Sequence, residues 1–432
     1  MPGRALGFWM CTALVIGGMI GAGVFLLPTA LAPYGWNALF GWGLTIPGAL
    51  ALAFVFARLA RAFPEAGGPY AYTREAFGHG PAFAVAWSYW ISVMVANAVI
   101  AVACVSYLTV FWPALGSVSG APALLAIALI WLLTAVNCRS VGLAGGVQIV
   151  TTVLKLLPLL AVALIGAVVV ARQGPAVVLP FEPAAISLAG ITASATLTLY
   201  ALVGFEAATL PAAKVVDPAR TIPRATLVGV TITGVAYVVC VSAITLLLPP
   251  AVAATSPAPF ADFAARFVGP QAALIIALFA AIAAFGALNG WILVQGELPL
   301  ALATDGVFPA WFGAVSAAGT PVRAQLLSST LVTLLVLSNY TRSAADLFVF
   351  MVLLSTSASL VTYLACALAT LKLRRDPRLM ASPALVMLAG IGALFSLWTL
   401  YGAGAEAVLW GAALLASGLP VYALMRRSRR PA

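Results

Sequence analysis

Two ionisable side chains, Lys155 and Glu206, stand deep inside long apolar runs of this 432-residue chain. A charge at membrane depth is costly and marks a functional position by default. For Lys155 the rival reading is snorkelling to an interface. It lies about nine residues from either end of its run, roughly 13 Å along a helix. Backbone supplies the second kind of chemistry. The segment Gly17-Gly18-Met19-Ile20-Gly21-Ala22-Gly23 carries four glycines in seven residues. Each costs a helix about 1 kcal/mol against alanine. A helix broken here restarts at Gly21, Ala22 and Gly23. Free N–H groups at the positive end of that half-helix suit a carboxylate. A second break is legible at Val203-Gly204-Phe205-Glu206. Carbonyls released near Gly18, Met19, Tyr200 and Val203 suit an ammonium. The rival for either break is a tight helix crossing at small residues.

The elements that must position these groups follow from composition. Hydrophobic residues make up 63% of the chain and charged residues only 7%, against about 25% charged in an ordinary soluble domain. The chain reads as an all-α integral membrane protein. A spanning helix needs about 20 apolar residues. Twelve such stretches fall near 8–32, 37–62, 82–112, 121–140, 146–171, 188–212, 223–248, 269–304, 322–340, 342–371, 382–402 and 405–425. They are continuous rather than alternating, which argues against a transmembrane barrel. Seventeen of the 21 Lys and Arg residues fall on one side if both termini are cytoplasmic, and three on the other. That asymmetry orients the chain in an inner membrane. The net charge of +10 is then positive-inside bias plus a basic tail at 426–432 that meets anionic lipid. It calls for no nucleic-acid partner.

The two breaks fall in the first and sixth spans, matching members of two five-span halves. Each is followed by a Leu-Pro-x-Ala segment, Leu27 to Ala30 and Leu210 to Ala213. Paired broken helices in corresponding positions are the sequence pointer to a secondary transporter's site. The expected organisation is a first repeat over 1–171, a second over 188–371, two extra helices over 382–425 and the tail. Cys11, Cys104, Cys138, Cys240 and Cys366 have no metal or disulfide spacing, and no cofactor is called for. No removable signal segment is read at the start. No filter motif suggests a channel. No catalytic dyad, phosphate loop or metal set suggests an enzyme.

Several motifs together make the chain similar to the amino acid–polyamine–organocation superfamily, above all to its basic amino acid/polyamine antiporters of the arginine/agmatine type. They are Gly21 to Pro28, Gly67-Gly68-Pro69-Tyr70-Ala71-Tyr72, Gly204-Phe205-Glu206-Ala207, Asp217 to Pro223, Gly290-Trp291, Asp305 to Pro309 and Gly319-Thr320-Pro321. The resemblance implies an inverted-repeat fold with alternating access, a homodimer, and a small amino acid or amine as substrate. It implies that Trp291 stacks on a cationic head group and that Asn97 contacts the same group, the rival for Asn97 being helix-to-helix bonding. It implies that Glu206 is a proton-sensitive latch and Tyr70 a pH sensor. Lys155 resembles the lysine that replaces a bound cation in sodium-independent relatives.

This sequence also departs from the arginine/agmatine pattern. Gly18 stands where those exchangers have Asn, Ala22 and Leu353 where they have Ser, and Tyr200 where they have Trp. Lys155 is usually absent from them. The Tyr200 replacement is conservative, but Gly18, Ala22, Leu353 and Lys155 keep a second expectation open, a neutral amino-acid permease or exchanger coupled to protons through Lys155. Glu297 and Asp305 fall at the cytoplasmic end of the eighth span, and Glu297 reads as a solvated or loop-pinning charge rather than a substrate ligand.

Overall fold

The computed structural model describes residues 7–21, 23–63, 68–118, 120–139, 154–206, 215–339 and 342–428. The major helices are α1 (Phe8–Met19), α2 (Gly23–Leu31), α3 (Trp36–Ala62), α4 (Pro69–Phe77), α5 (His79–Leu108), α6 (Ala121–Arg139), α7 (Leu156–Gln173) and α8 (Leu188–Leu202). There follow α9 (Pro218–Leu247), α10 (Pro259–Phe267), α11 (Pro270–Thr304), α12 (Val322–Leu337), α13 (Ala344–Lys372), α14 (Pro383–Gly402), α15 (Gly404–Ala416) and α16 (Gly418–Ser428). Nine helical stretches among the described residues are long and apolar enough to cross a membrane, and α1 with α2, bent by 48°, adds a tenth. The shorter apolar helices α8 and α12 coincide with the expected sixth and ninth spans. The chain is thus a multi-span, all-helical membrane protein.

Local chemistry sets the helix ends. Ser187, Ser343 and Ser382 cap α8, α13 and α14 by accepting from the N–H of Gly190, Asp346 and Leu385, the usual way of satisfying an orphan amide. The 35 residues of α11 extend about 50 Å. They exceed a hydrocarbon core of about 30 Å, so α11 tilts or protrudes.

Helix α5 forms the centre. Its apolar window is 94% buried, against 6% for the stretch Gly404–Arg426, which is left to face lipid. Helices α3, α8 and α9 pack together, with α1 against α9. A second group forms around α5, which packs on α11 and α13, with α11 on α6 and α12. Polar bonds stitch each group internally. Thr45 on α3 meets Thr198 on α8 at 2.8 Å, while Asn137 on α6 donates to Asn289 on α11 at 3.0 Å. Outside the apolar zone, the 373–382 connection is strapped down. Arg58 donates to the carbonyl of Met380. Arg378 pairs with Glu75 and, at 2.8 Å, with Asp376, and lies 4.6 Å over the ring of Phe63.

Candidate functional site

The two breaks meet. Helix α1 stops at Met19 and α2 begins at Gly23. Helix α8 stops at Leu202, Val203 is extended, and Gly204 takes φ +106°. A Cβ on Gly204 would stand 2.9 Å from the carbonyl oxygen of Gly18, so the two unwound backbones are in direct contact. Glycine supplies both requirements, the positive φ and the missing side chain.

Beside this contact lies a narrow cavity of about 30 Å³ lined by residues from both breaks, from α5, α11 and α13. Of the residues singled out in the sequence, Gly18, Met19, Gly21, Gly23, Tyr200, Val203 and Trp291 stand on its wall. Tyr200 lies flush on the backbone, since a Cβ on Gly23 would come within 2.4 Å of its ring. Ala22 lies outside the described residues, as does the Leu210 to Ala213 segment.

Some groups expected to be free are already engaged. The N–H of Gly21 donates to the carbonyl of Met19 at 2.8 Å. That carbonyl also accepts from the Tyr237 hydroxyl at 2.9 Å. The carbonyl of Tyr200 accepts from the N–H of Val203. The break therefore folds back on itself, and neither the Gly21 amide nor the twice-bonded Met19 carbonyl stands open for a ligand. Leu353 is not on the wall either; Ser355, two residues on, lines the cavity. Two residues turn a helix by about 200°, so the expected register on α13 points to its far side.

Lys155 is buried, and its ammonium donates to the carbonyls of Gly17 at 2.8 Å and Ile20 at 2.9 Å. It does not snorkel. It caps the broken C-terminal end of α1, where a cation gains from the helix dipole and makes charge-assisted bonds. Glu206 is fully buried behind the second break. It accepts from the hydroxyls of Tyr89 on α5 at 3.1 Å and Tyr363 on α13 at 3.0 Å. A carboxyl held by two helices ties the second break to the opposite helix group. Asn97 is fully buried and does not line the cavity; its amide donates to Gln295 at 2.8 Å and to the carbonyl of Trp291 at 3.3 Å.

Tyr70 belongs elsewhere. It lines a separate cavity with His79, Phe83, Tyr422 and Arg426, and the Arg74 guanidinium stands 5.4 Å from its ring centre. Among the described residues no group of three or more His, Cys, Asp or Glu is placed to hold a metal ion.

Sequence reasoning missed Tyr89, Ser92, Ser355, Tyr237 and Tyr363. For Tyr89 and Ser92 the available signal is a cluster of hydroxyls, Ser88, Tyr89 and Ser92, in the mostly apolar α5. Ser92 and Ser355 both line the cavity, and Ser355 donates to the carbonyl of Ser92 at 3.0 Å.

Residues 6–418 match the family described as amino acid permease. A cadaverine/lysine antiporter of Escherichia coli is 34% identical over 344 residues, 77% of this chain and 74% of the relative. A putative arginine/ornithine antiporter of Bacillus subtilis is 32% identical over 402 residues, 85% of this chain and 84% of the relative. The putrescine transporter PotE of Haemophilus influenzae is 29% identical over 426 residues, 96% of each chain. The chain belongs to the amino acid permease family of the amino acid–polyamine–organocation superfamily, on its basic amino acid/polyamine antiporter branch.

Proposed function

We propose that this protein is a secondary active exchanger of cationic amino acids and their decarboxylated amines, of the arginine/agmatine type, working by alternating access. One observation carries the reading: both helix breaks and the half-buried indole of Trp291 converge on a single cavity. The unwound backbone left on the wall, at Gly18, Gly23 and Val203, binds the amino-acid end, and the indole face takes the cationic end. A cation over an indole gains about 0.5–2 kcal/mol, more as water is excluded. In this reading the two helix groups rock about the cavity, with the Glu206–Tyr89 and Glu206–Tyr363 bonds made and released in the cycle. Both termini face the cytoplasm, and the two five-span halves form the inverted repeat. The names of the relatives support a basic amino acid against an amine.

The test is counterflow in proteoliposomes preloaded with unlabelled arginine and offered labelled arginine. Agmatine, ornithine, lysine, cadaverine, leucine and alanine serve as competitors. Suppression by cationic competitors alone is the expected result. Trp291→Leu should abolish exchange in a protein that still folds; undiminished exchange would refute the assigned pocket. A second reading, a neutral amino-acid permease, draws on Lys155, whose ammonium already supplies a cation to the break in α1. Leucine or alanine counterflow without arginine uptake would establish it.

A further inference from the structure

We propose that Gln295 is a positioning residue: a one-way hydrogen-bond relay ending on it fixes the sense of the Asn97 amide, leaving the Asn97 carbonyl oxygen as an unpaid acceptor that selects a donor-bearing head group. The relay crosses four helices and deepens the cationic reading given above, on which it rests. Its direction is set by backbone carbonyls, which only accept. On α6 the Thr134 hydroxyl donates to the carbonyl of Ile130 at 2.7 Å. Its single hydrogen is spent, so at 2.7 Å from Ser329 it is the acceptor. Ser329 on α12 thereby spends its own hydrogen and accepts from Gln295 Nε2 at 2.9 Å. Gln295 on α11 therefore turns its oxygen, Oε1, toward Asn97.

The other end reaches the same answer. The carbonyl of Trp291 sits 3.3 Å from Asn97 Nδ2 and would repel an oxygen in that place. Both Asn97 N–H groups are consumed, one by Gln295 and one by Trp291. Asn97 Oδ1 is left buried, with no hydrogen-bond partner among the described residues. Such an atom destabilises the empty protein and rewards a ligand that supplies a donor.

Place connects this oxygen to the cavity. Val93, Ala96 and Ile100, on α5 around Asn97, line the wall, and so does Trp291. Asn97 itself is fully buried and bonded to the carbonyl of Trp291, a residue that does line the cavity. An ammonium or guanidinium brings the donors that an aliphatic end lacks. A site built to pair a donor rejects the analogue without it far more strongly than a merely apolar pocket does. Thr134, Ser329 and Gln295 act only through Asn97, and none of them lines the cavity.

The test compares labelled lysine with labelled norleucine, which keeps the chain and lacks the terminal amine, in counterflow with full-length protein. The wild type should prefer lysine. Gln295→Met removes the acceptor, frees the Asn97 amide to turn, and should cut that preference roughly tenfold, the worth of a hydrogen bond to an ionised group. A residue that only held helices together would lower uptake of both substrates alike. Should Gln295→Met fail to insert, Thr134→Val against Thr134→Ser asks the same question from two helices away, with the preference lost only in the valine variant. Unchanged preference in Gln295→Met, or in Thr134→Val, overturns the relay and leaves the cationic reading standing. A wild type that takes norleucine as readily as lysine overturns both.

Discussion

Gly204→Ala is the sharpest perturbation of the site that can be worked from geometry. Gly204 has φ +106°, a region that costs a residue with a Cβ about 1–2 kcal/mol. The added Cβ would also lie 2.9 Å from the oxygen and 3.0 Å from the carbon of the Gly18 carbonyl. Both are backbone atoms, so no side chain can turn aside. Overpacking of this kind costs about 1–3 kcal/mol. The two terms together give about 2–5 kcal/mol, felt where the two breaks touch. Gly21→Ala is the control, because its Cβ would find nothing nearer than Ile100 Cδ1 at 4.0 Å. The assay is melting followed by a thiol-reactive dye, which suits a protein whose free Cys11, Cys104, Cys240 and Cys366 are all buried. The expected result is a clearly lowered transition and lost counterflow for Gly204→Ala. Gly21→Ala should melt like the wild type and change only apparent substrate affinity, since it fills cavity space. A Gly204→Ala protein that melts and exchanges like the wild type would refute the direct contact of the two breaks.

Lys155→Ala leaves the Gly17 and Ile20 carbonyls without their donor; exchange should fall at least tenfold and lose any response to an imposed pH gradient, and wild-type flux in that variant would remove Lys155 from the cycle. The strap at 373–382 gives a pH prediction. The Arg378 side-chain hydrogen bond holds the Asp376 carboxyl below its usual range. A depressed carboxylate contributes stability above its unfolded pKa and loses it as pH falls through the lower folded value. Asp376→Asn should therefore melt slightly below the wild type at pH 7, with the two curves converging below about pH 4. A gap that persists in acid would show that packing, not the ion pair, holds the strap.

The spans were legible because bilayer thickness imposes a length on every apolar run. The breaks were legible because glycine weakens a helix wherever it stands. Six residues marked at the breaks, Gly18, Met19, Gly21, Gly23, Tyr200 and Val203, come together on one wall, with Trp291, marked by the family motif, beside them. What sequence could not give is the partner of each freed group. A break releases donors and acceptors, but only the fold decides whether a ligand or the protein meets them. The Gly21 amide turned back on Met19, and Tyr237, 218 residues away, took the same carbonyl. The face of α13 was equally hidden. No strong amphipathic stripe marks a helix packed on several sides, so nothing local distinguishes Leu353 from Ser355.

Lys155 shows how partner choice bears on mechanism. As a sequence feature it weakened the cationic reading, because it stood apart from the arginine/agmatine pattern. In the structure its ammonium is directed at the end of α1, on Gly17 and Ile20, and it is absent from the cavity wall. A fixed cation so placed holds the break in shape without occupying the position of the substrate's head group. Its charge is partly answered by the carbonyl end of the helix, which limits the repulsion felt by a cationic ligand. A cationic exchanger can therefore carry this lysine. The discriminating chemistry then falls to the contact of Asn97 with Trp291, where Asn97 Oδ1 remains without a partner among the described residues.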